Sequence, residues 1–267
     1  YRYESGTSQA APAVSGMLAL TKQLFEGSPW NYQRTNSPAL LKAMIINGAR
    51  TVDSKYNYQI QTPINYQGWG VANLTNTLPY AFGEGAGSEA KWPVVLIDQD
   101  PTNSLATGES HVRTIKLTGD APFYPLHVTL VWTDPPGNPV SSLKLVNDLD
   151  LIVSNRFSGE IYVGNNFAQG SDFTSSTISS NEQPYDVVNN VENVFINRFL
   201  DEDYDIIVRA KRVNVNAVTT QTNGVLQDYA LVIASGNSRL TNVFSSVSSV
   251  TTITKGYDPA PFVRFLS

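Results

Sequence analysis

Asn147-Asp148-Leu149-Asp150-Leu151-Ile152-Val153 is the stretch that sets the fold class. Its side chains alternate: Asp148 and Asp150 fall on one face of an extended chain, Leu149, Leu151 and Val153 on the other. A period of two marks a strand with one face on a core. Similar short β-branched runs recur on both sides of it. Val94–Ile97, Val112–Leu117, His127–Trp132, Leu149–Val153, Val191–Ile196, Tyr204–Ala210 and Tyr229–Ile233 read as strands, set apart by Pro, Gly, Asn and Asp. Such spacing predicts an antiparallel sandwich or jelly roll. Trp132 and the Tyr and Phe residues of these runs read as core. From about residue 237 the chain is rich in Ser, Thr and Val, which predicts one or two further strands or a surface arm.

Working outward to the N-terminus, the texture changes. Ser8 to Phe25 is apolar and small, with Ala10, Ala11, Ala13, Val14, Gly16, Met17, Leu18, Ala19 and Leu20. It lacks strand alternation and is long enough for a buried helix, with Pro12 tolerated in the opening turns. A second helix starts where Asn36 or Ser37 can cap and Pro38 fits the first helical position. Leu40, Leu41, Met44 and Ile45 follow at helical spacing, and Gly48 stands where the helix would stop. Next comes a loop through Gly68-Trp69-Gly70, and Gly83-Glu84-Gly85-Ala86-Gly87-Ser88 reads as a linker.

Composition narrows the function classes. A chain of 267 residues holds about two domains. Charged residues are 15% and the formal net charge is −5, so there is no electrostatic reason to bind nucleic acid or an anionic membrane, and neither nucleic acid nor a membrane is expected as a partner. There is no cysteine, which excludes a disulfide framework and a thiolate nucleophile. No apolar run reaches the length of a membrane-spanning helix. The sequon Asn73-Leu74-Thr75 reads as a chance occurrence in a chain rich in Asn and Thr.

The chemistry lies in Gly6-Thr7-Ser8-Gln9-Ala10-Ala11-Pro12-Ala13-Val14-Ser15-Gly16. A serine at the start of a small-residue helix stands where backbone N–H groups have no helical acceptor and the dipole favours negative charge. Its hydroxyl can attack a carbonyl while its own N–H points at the oxyanion that forms. Gly-Thr-Ser alone reads as a plain capping turn before an apolar helix. The longer string resembles the serine signature of the subtilases, Gly-Thr-Ser-x-Ala-x-Pro, at every fixed position. Ala43-Met44-Ile45-Ile46-Asn47-Gly48-Ala49 and the turn Gly68-Trp69-Gly70-Val71-Ala72-Asn73 resemble the family's later segments. The resemblance covers residues 1 to about 80.

Val128–Asp134, Leu145–Leu151, Tyr162–Asn165 and Asn189–Val194 in turn resemble the β-barrel domain appended to the alkaline, oxidatively stable branch of bacterial subtilases. The resemblance implies an α/β subtilisin-like catalytic domain, C-terminal portion only, followed by an all-β antiparallel sandwich. The corresponding bounds are 1–88 for the catalytic portion, 89–236 for the sandwich and 237–267 for a strand-like tail.

What the resemblance implies about activity is specific. It makes the chain part of a secreted serine endopeptidase acting on protein or peptide substrates through an acyl-enzyme on Ser8. The family's triad runs Asp, His, Ser along the chain, and only seven residues precede Ser8. The Asp, the His and the oxyanion Asn are therefore expected from an upstream chain or segment. His111 and His127 fall in the sandwich and are expected to be packed. Family members bind calcium, and Asp134, Asp148, Asp150, Asp186 and Glu192 form the expected pool of oxygen ligands, unless they bond to loop amides instead. Most subtilases place a methionine directly after the serine. Here Gln9 takes that position, which predicts tolerance of peroxide. Two other readings remain: a non-catalytic β-sandwich binding or folding module in which Ser8 is a vestige, and a pseudoprotease fragment.

Overall fold

A computed structural model describes residues 5–27, 36–52, 67–78, 94–119, 121–177, 184–235 and 244–254. The expected linker at 83–88 lies outside the described residues. Helix α1 spans Thr7–Gly27 and α2 Pro38–Asn47, and a single turn, α3, spans Leu74–Thr77. The strands are β1 Val94–Ile97, β2 Ser110–Leu117, β3 Leu126–Val131, β4 Asp148–Asn155, β5 Ile161–Phe167, β6 Thr174–Thr177, β7 Val191–Ile196, β8 Asp203–Arg212, β9 Ala230–Ser235, β10 Phe244–Val247 and β11 Thr251–Ile253. The chain is thus mostly β, and every pairing between described strands is antiparallel.

Two sheets result. One has the order β1-β9-β3-β7; the other runs β10-β2-β8-β4-β5-β6, with β11 also on β2. Their facing sides share one core, in which Leu126, Val128, Leu130, Val194 and Leu231 meet Leu149, Leu151, Val153, Ile206 and Val208. The alternation at 147–153 therefore places its leucines where a period of two requires. Trp132 is fully buried and its indole N–H donates to the Asn147 carbonyl at 3.0 Å. The tail supplies two strands, and both add to the β2 edge.

Helix α2 covers the outer face of the four-stranded sheet. Its start is built as its sequence requires: Ser37 caps the Leu40 N–H at 3.0 Å, Pro38 follows, and Asp98 accepts hydrogen bonds from the Ser37 backbone N–H and hydroxyl. Leu40, Ala43 and Met44 pack on Val94, Val131, Val191, Ala230 and Val232. Asn47 ends the helix and reaches into the sheet. Its amide nitrogen lies within bonding distance of the His127 carbonyl, the Thr129 hydroxyl and the Val232 carbonyl, at 3.2, 3.0 and 3.3 Å. Gly48 is needed here for closeness: a Cβ would stand 2.5 Å from the Thr77 backbone nitrogen.

Candidate active site

Ser8 is the second residue of α1 and is exposed. Gly6 opens the helix, its carbonyl accepting from the Gln9 and Ala10 amides at 3.1 and 3.2 Å. Ser8 thus lies in the first turn, ahead of the regular ladder, where helix N–H groups lack intrahelical acceptors. Pro12 is four residues on. It has no N–H to give to the Ser8 carbonyl, and its ring crowds that carbonyl. The signature therefore loosens the helix on both sides of Ser8, with glycine before it and proline after it.

The rest of α1 departs from the expected burial. Of its side chains only Thr21 and Phe25 are buried, whereas Ala10, Ala11, Ala13, Ala19 and Leu20 are exposed. Met44 is buried, but Met17 is only half-buried. The two histidines are engaged in the sandwich. His111 Nδ1 lies 2.8 Å from the buried Tyr229 hydroxyl, and burial, with Arg113 nearby, pushes its pKa down to about 4. His127 stacks on Phe195 at 4.4 Å and its Nδ1 lies 3.3 Å from the Asn47 carbonyl; burial lowers its pKa too.

The five acidic residues divide into two kinds. Asp134 accepts from the Val146 and Asn147 amides at 2.9 and 2.7 Å. Asp186 accepts from the Val188 and Asn189 amides and from the Asn165 and Asn189 side chains. Both hold loops. Asp148, Asp150 and Glu192 are buried at the split between β4 and β5, whose pairing begins only at Ile152. Asp150 takes Arg209 through Nε and Nη2 at 2.8 and 2.6 Å, and Asp148 stands 4.0 Å from Arg212. Glu192 crosses from the other sheet and fills the split, accepting the Leu151 N–H at 2.5 Å. Gly164 makes room for it, since a Cβ there would lie 2.2 Å from the Glu192 carboxylate.

Among the described residues, Asp148 Oδ1, Asp150 Oδ1 and Glu192 Oε1 have no hydrogen-bond partner. Burial raises the pKa of all three, that of Glu192 well above its usual range, with Asp150 adding repulsion. Among the described residues no group of three or more His, Asp or Glu side chains is placed to hold a metal ion. Sequence reasoning pooled these five acids; the Arg209 partner and the Gly164 close approach carry no short-range signal that could have separated them.

Residues 1–70 match the subtilase family. Across the larger part of its length, the chain is similar to three proteins of Dictyostelium discoideum named serine protease/ABC transporter B family proteins. It is 30% identical to tagA over 213 residues, which cover 75% of this chain and 11% of that protein. Identity to tagB is 27% over 247 residues, covering 79% and 13%, and to tagD 29% over 233 residues, covering 72% and 12%. The chain thus spans a small fraction of the length of these relatives.

Proposed function

We propose that the chain is part of a serine endopeptidase of the subtilase kind, with Ser8 as nucleophile. The carrying observation is the Gly6–Pro12 signature at the opening of α1, inside the segment that matches the family. Ser8 Oγ attacks the scissile carbonyl and a histidine from a preceding segment takes its proton. An aspartate orients that histidine, and the Ser8 N–H with an asparagine holds the oxyanion. The exposed apolar side of α1 supports this reading, because helices of such a domain pack on a parallel sheet that needs both faces covered. The finer fold we propose is the C-terminal portion of that α/β domain followed by a jelly-roll sandwich. A fluorophosphonate probe, applied to the protein with its preceding segment, labels the peptide containing Ser8. Ser8→Ala abolishes labelling and lowers turnover on the order of 10⁶-fold, the magnitude known for subtilisin. Labelling that persists in Ser8→Ala puts the nucleophile elsewhere, and none in the parent leaves a binding module or a pseudoprotease.

A structural calcium ion on Asp148, Asp150 and Glu192 rests only on the unpartnered oxygen that each keeps, since the three are not placed together as a metal-holding group. Asp134 and Asp186 are spent on loops and drop out of the pool. An ion bound only by the folded state stabilises it, so excess chelator lowers the melting temperature; an unchanged melting curve removes the ion.

The compartment we propose is extracellular. The relatives named with an ABC transporter further support a protease held at a membrane face.

A further inference from the structure

One end of the sandwich is made of three loops tied to one another. The turn at Ala121–Phe123 presents the Pro122 carbonyl, which accepts the Phe199 and Leu200 amides of the β7–β8 loop at 2.7 and 2.9 Å. The β4–β5 turn joins through the Asn155 amide group on Asp201 at 2.7 Å and the Arg156 N–H on the Asp203 carbonyl at 3.0 Å. Each loop ends in a phenylalanine facing solvent: Phe123 is 61% exposed, Phe157 81% and Phe199 76%. Among the described residues no other aromatic side chain is exposed.

These rings are held outward by the backbone. Phe199 has φ +72°, a conformation bulky residues rarely adopt and glycine adopts freely. Phe157 follows Asn155, whose side-chain oxygen accepts the Phe157 and Ser158 amides at 2.9 and 3.1 Å. Strain spent on exposing an apolar ring points to a use for the ring.

We propose that this end of the sandwich inserts its three phenylalanines into the interface of a phospholipid bilayer. The rings are spread over three loops bonded to one another, which suits a deformable lipid interface. Charge fits a neutral surface. Arg156, Arg198 and Lys116 stand among Glu160, Asp201, Glu202, Asp203 and Asp205, with Lys116 on Glu202 at 3.3 Å and Arg156 on Asp205 at 3.8 Å, so the crest offers no basic patch to anionic headgroups. The Arg198 guanidinium lies 5.5 Å from the Phe199 ring centroid, as a cation does when its stem lies along an inserted ring. Binding of this kind scales with apolar area and persists in salt. For where a bilayer is met, the inference rests on the membrane-face placement proposed above.

Flotation with phosphatidylcholine vesicles tests it, using the protein with its preceding segment and carrying Ser8→Ala against self-cleavage. The protein floats equally at low and high salt. Phe123→Ser, Phe157→Ser and Phe199→Gly each lower the partition about tenfold, and the triple variant stays behind. Phe199→Gly also raises the melting temperature, since it removes a loop ring from strained backbone. Failure of the parent to float, flotation of the triple variant, or a lowered melting temperature in Phe199→Gly overturns the proposal. So does a lipid-free dimer that the triple variant loses, which makes the crest a self-interface. Probe labelling of Ser8 in the active protein is untouched by the three substitutions, so the failure of either reading is told apart from that of the other.

Discussion

Helix α1 and strand β3 are both apolar segments, yet they end in opposite surroundings. In β3 every side chain but His127 is buried, between α2 and the second sheet. In α1, more than three times as long, only Thr21 and Phe25 are buried. Apolar content tells that a segment must be covered; it does not tell what covers it. The cover for β3 lies within the described residues. For most of α1 it does not, and that contrast separates the sandwich, which covers its own apolar faces, from the N-terminal helix, whose apolar side is left open among the described residues.

The largest effect that sharpens this contrast is on the sandwich side. Trp132→Ala costs about 3–5 kcal/mol in denaturant unfolding, because it leaves a cavity and strips the Asn147 carbonyl of its donor. A loss under about 1 kcal/mol would mean that the two-sheet core does not behave as one unit. Asn47→Ala comes next, at about 1–3 kcal/mol, since it removes the amide that ties α2 to β3 and β9.

Glu192→Gln acts through pH. Its folded pKa is raised by burial, so its stabilising contribution is complete below the unfolded value near 4.5 and is lost as pH rises through the folded value. Stability of the parent, measured by chemical denaturation in calcium-free buffer, therefore falls relative to Glu192→Gln from about pH 4.5 upward. A constant difference between the two across pH contradicts a buried, proton-holding carboxyl. Smallest of all is Leu20→Ala in α1, which shifts the stability of the 267-residue chain by less than about 0.5 kcal/mol, as for an exposed side chain. The same substitution costs more once a preceding segment covers the helix, and equal values with and without that segment would break the comparison.

The seven strands expected from alternation all form, with bounds within two residues, because each has one face on the shared core. Four others were not legible strand by strand. Strand β5 contains Gly164-Asn165-Asn166, and it runs through them with an irregular register: Asn165 turns to φ 60° with its side-chain amide on the Val191 carbonyl, and Gly164 makes room for Glu192. Strand β6, Thr-Ser-Ser-Thr, is a polar edge with no alternation to see. The tail suggested strands, but its partner, the β2 edge, is far off in sequence. At the candidate site, Ser8 stands out because its signature is local. The fates of the acids were not legible: Asp150 depends on Arg209, and Glu192 on Leu151, across 59 and 41 positions. The three exposed phenylalanines sit singly in turns, where no periodic pattern marks them.

The three bonds made by Asn47 bear on how the molecule would come apart. They join a helix that precedes the stretch between Leu78 and Val94 to strands that follow it. A cut anywhere in that stretch leaves α2 seated on the sheet, so the two pieces separate only when that contact dissociates. On a denaturing gel such a protein would run as two fragments, while in solution it would still migrate as one particle.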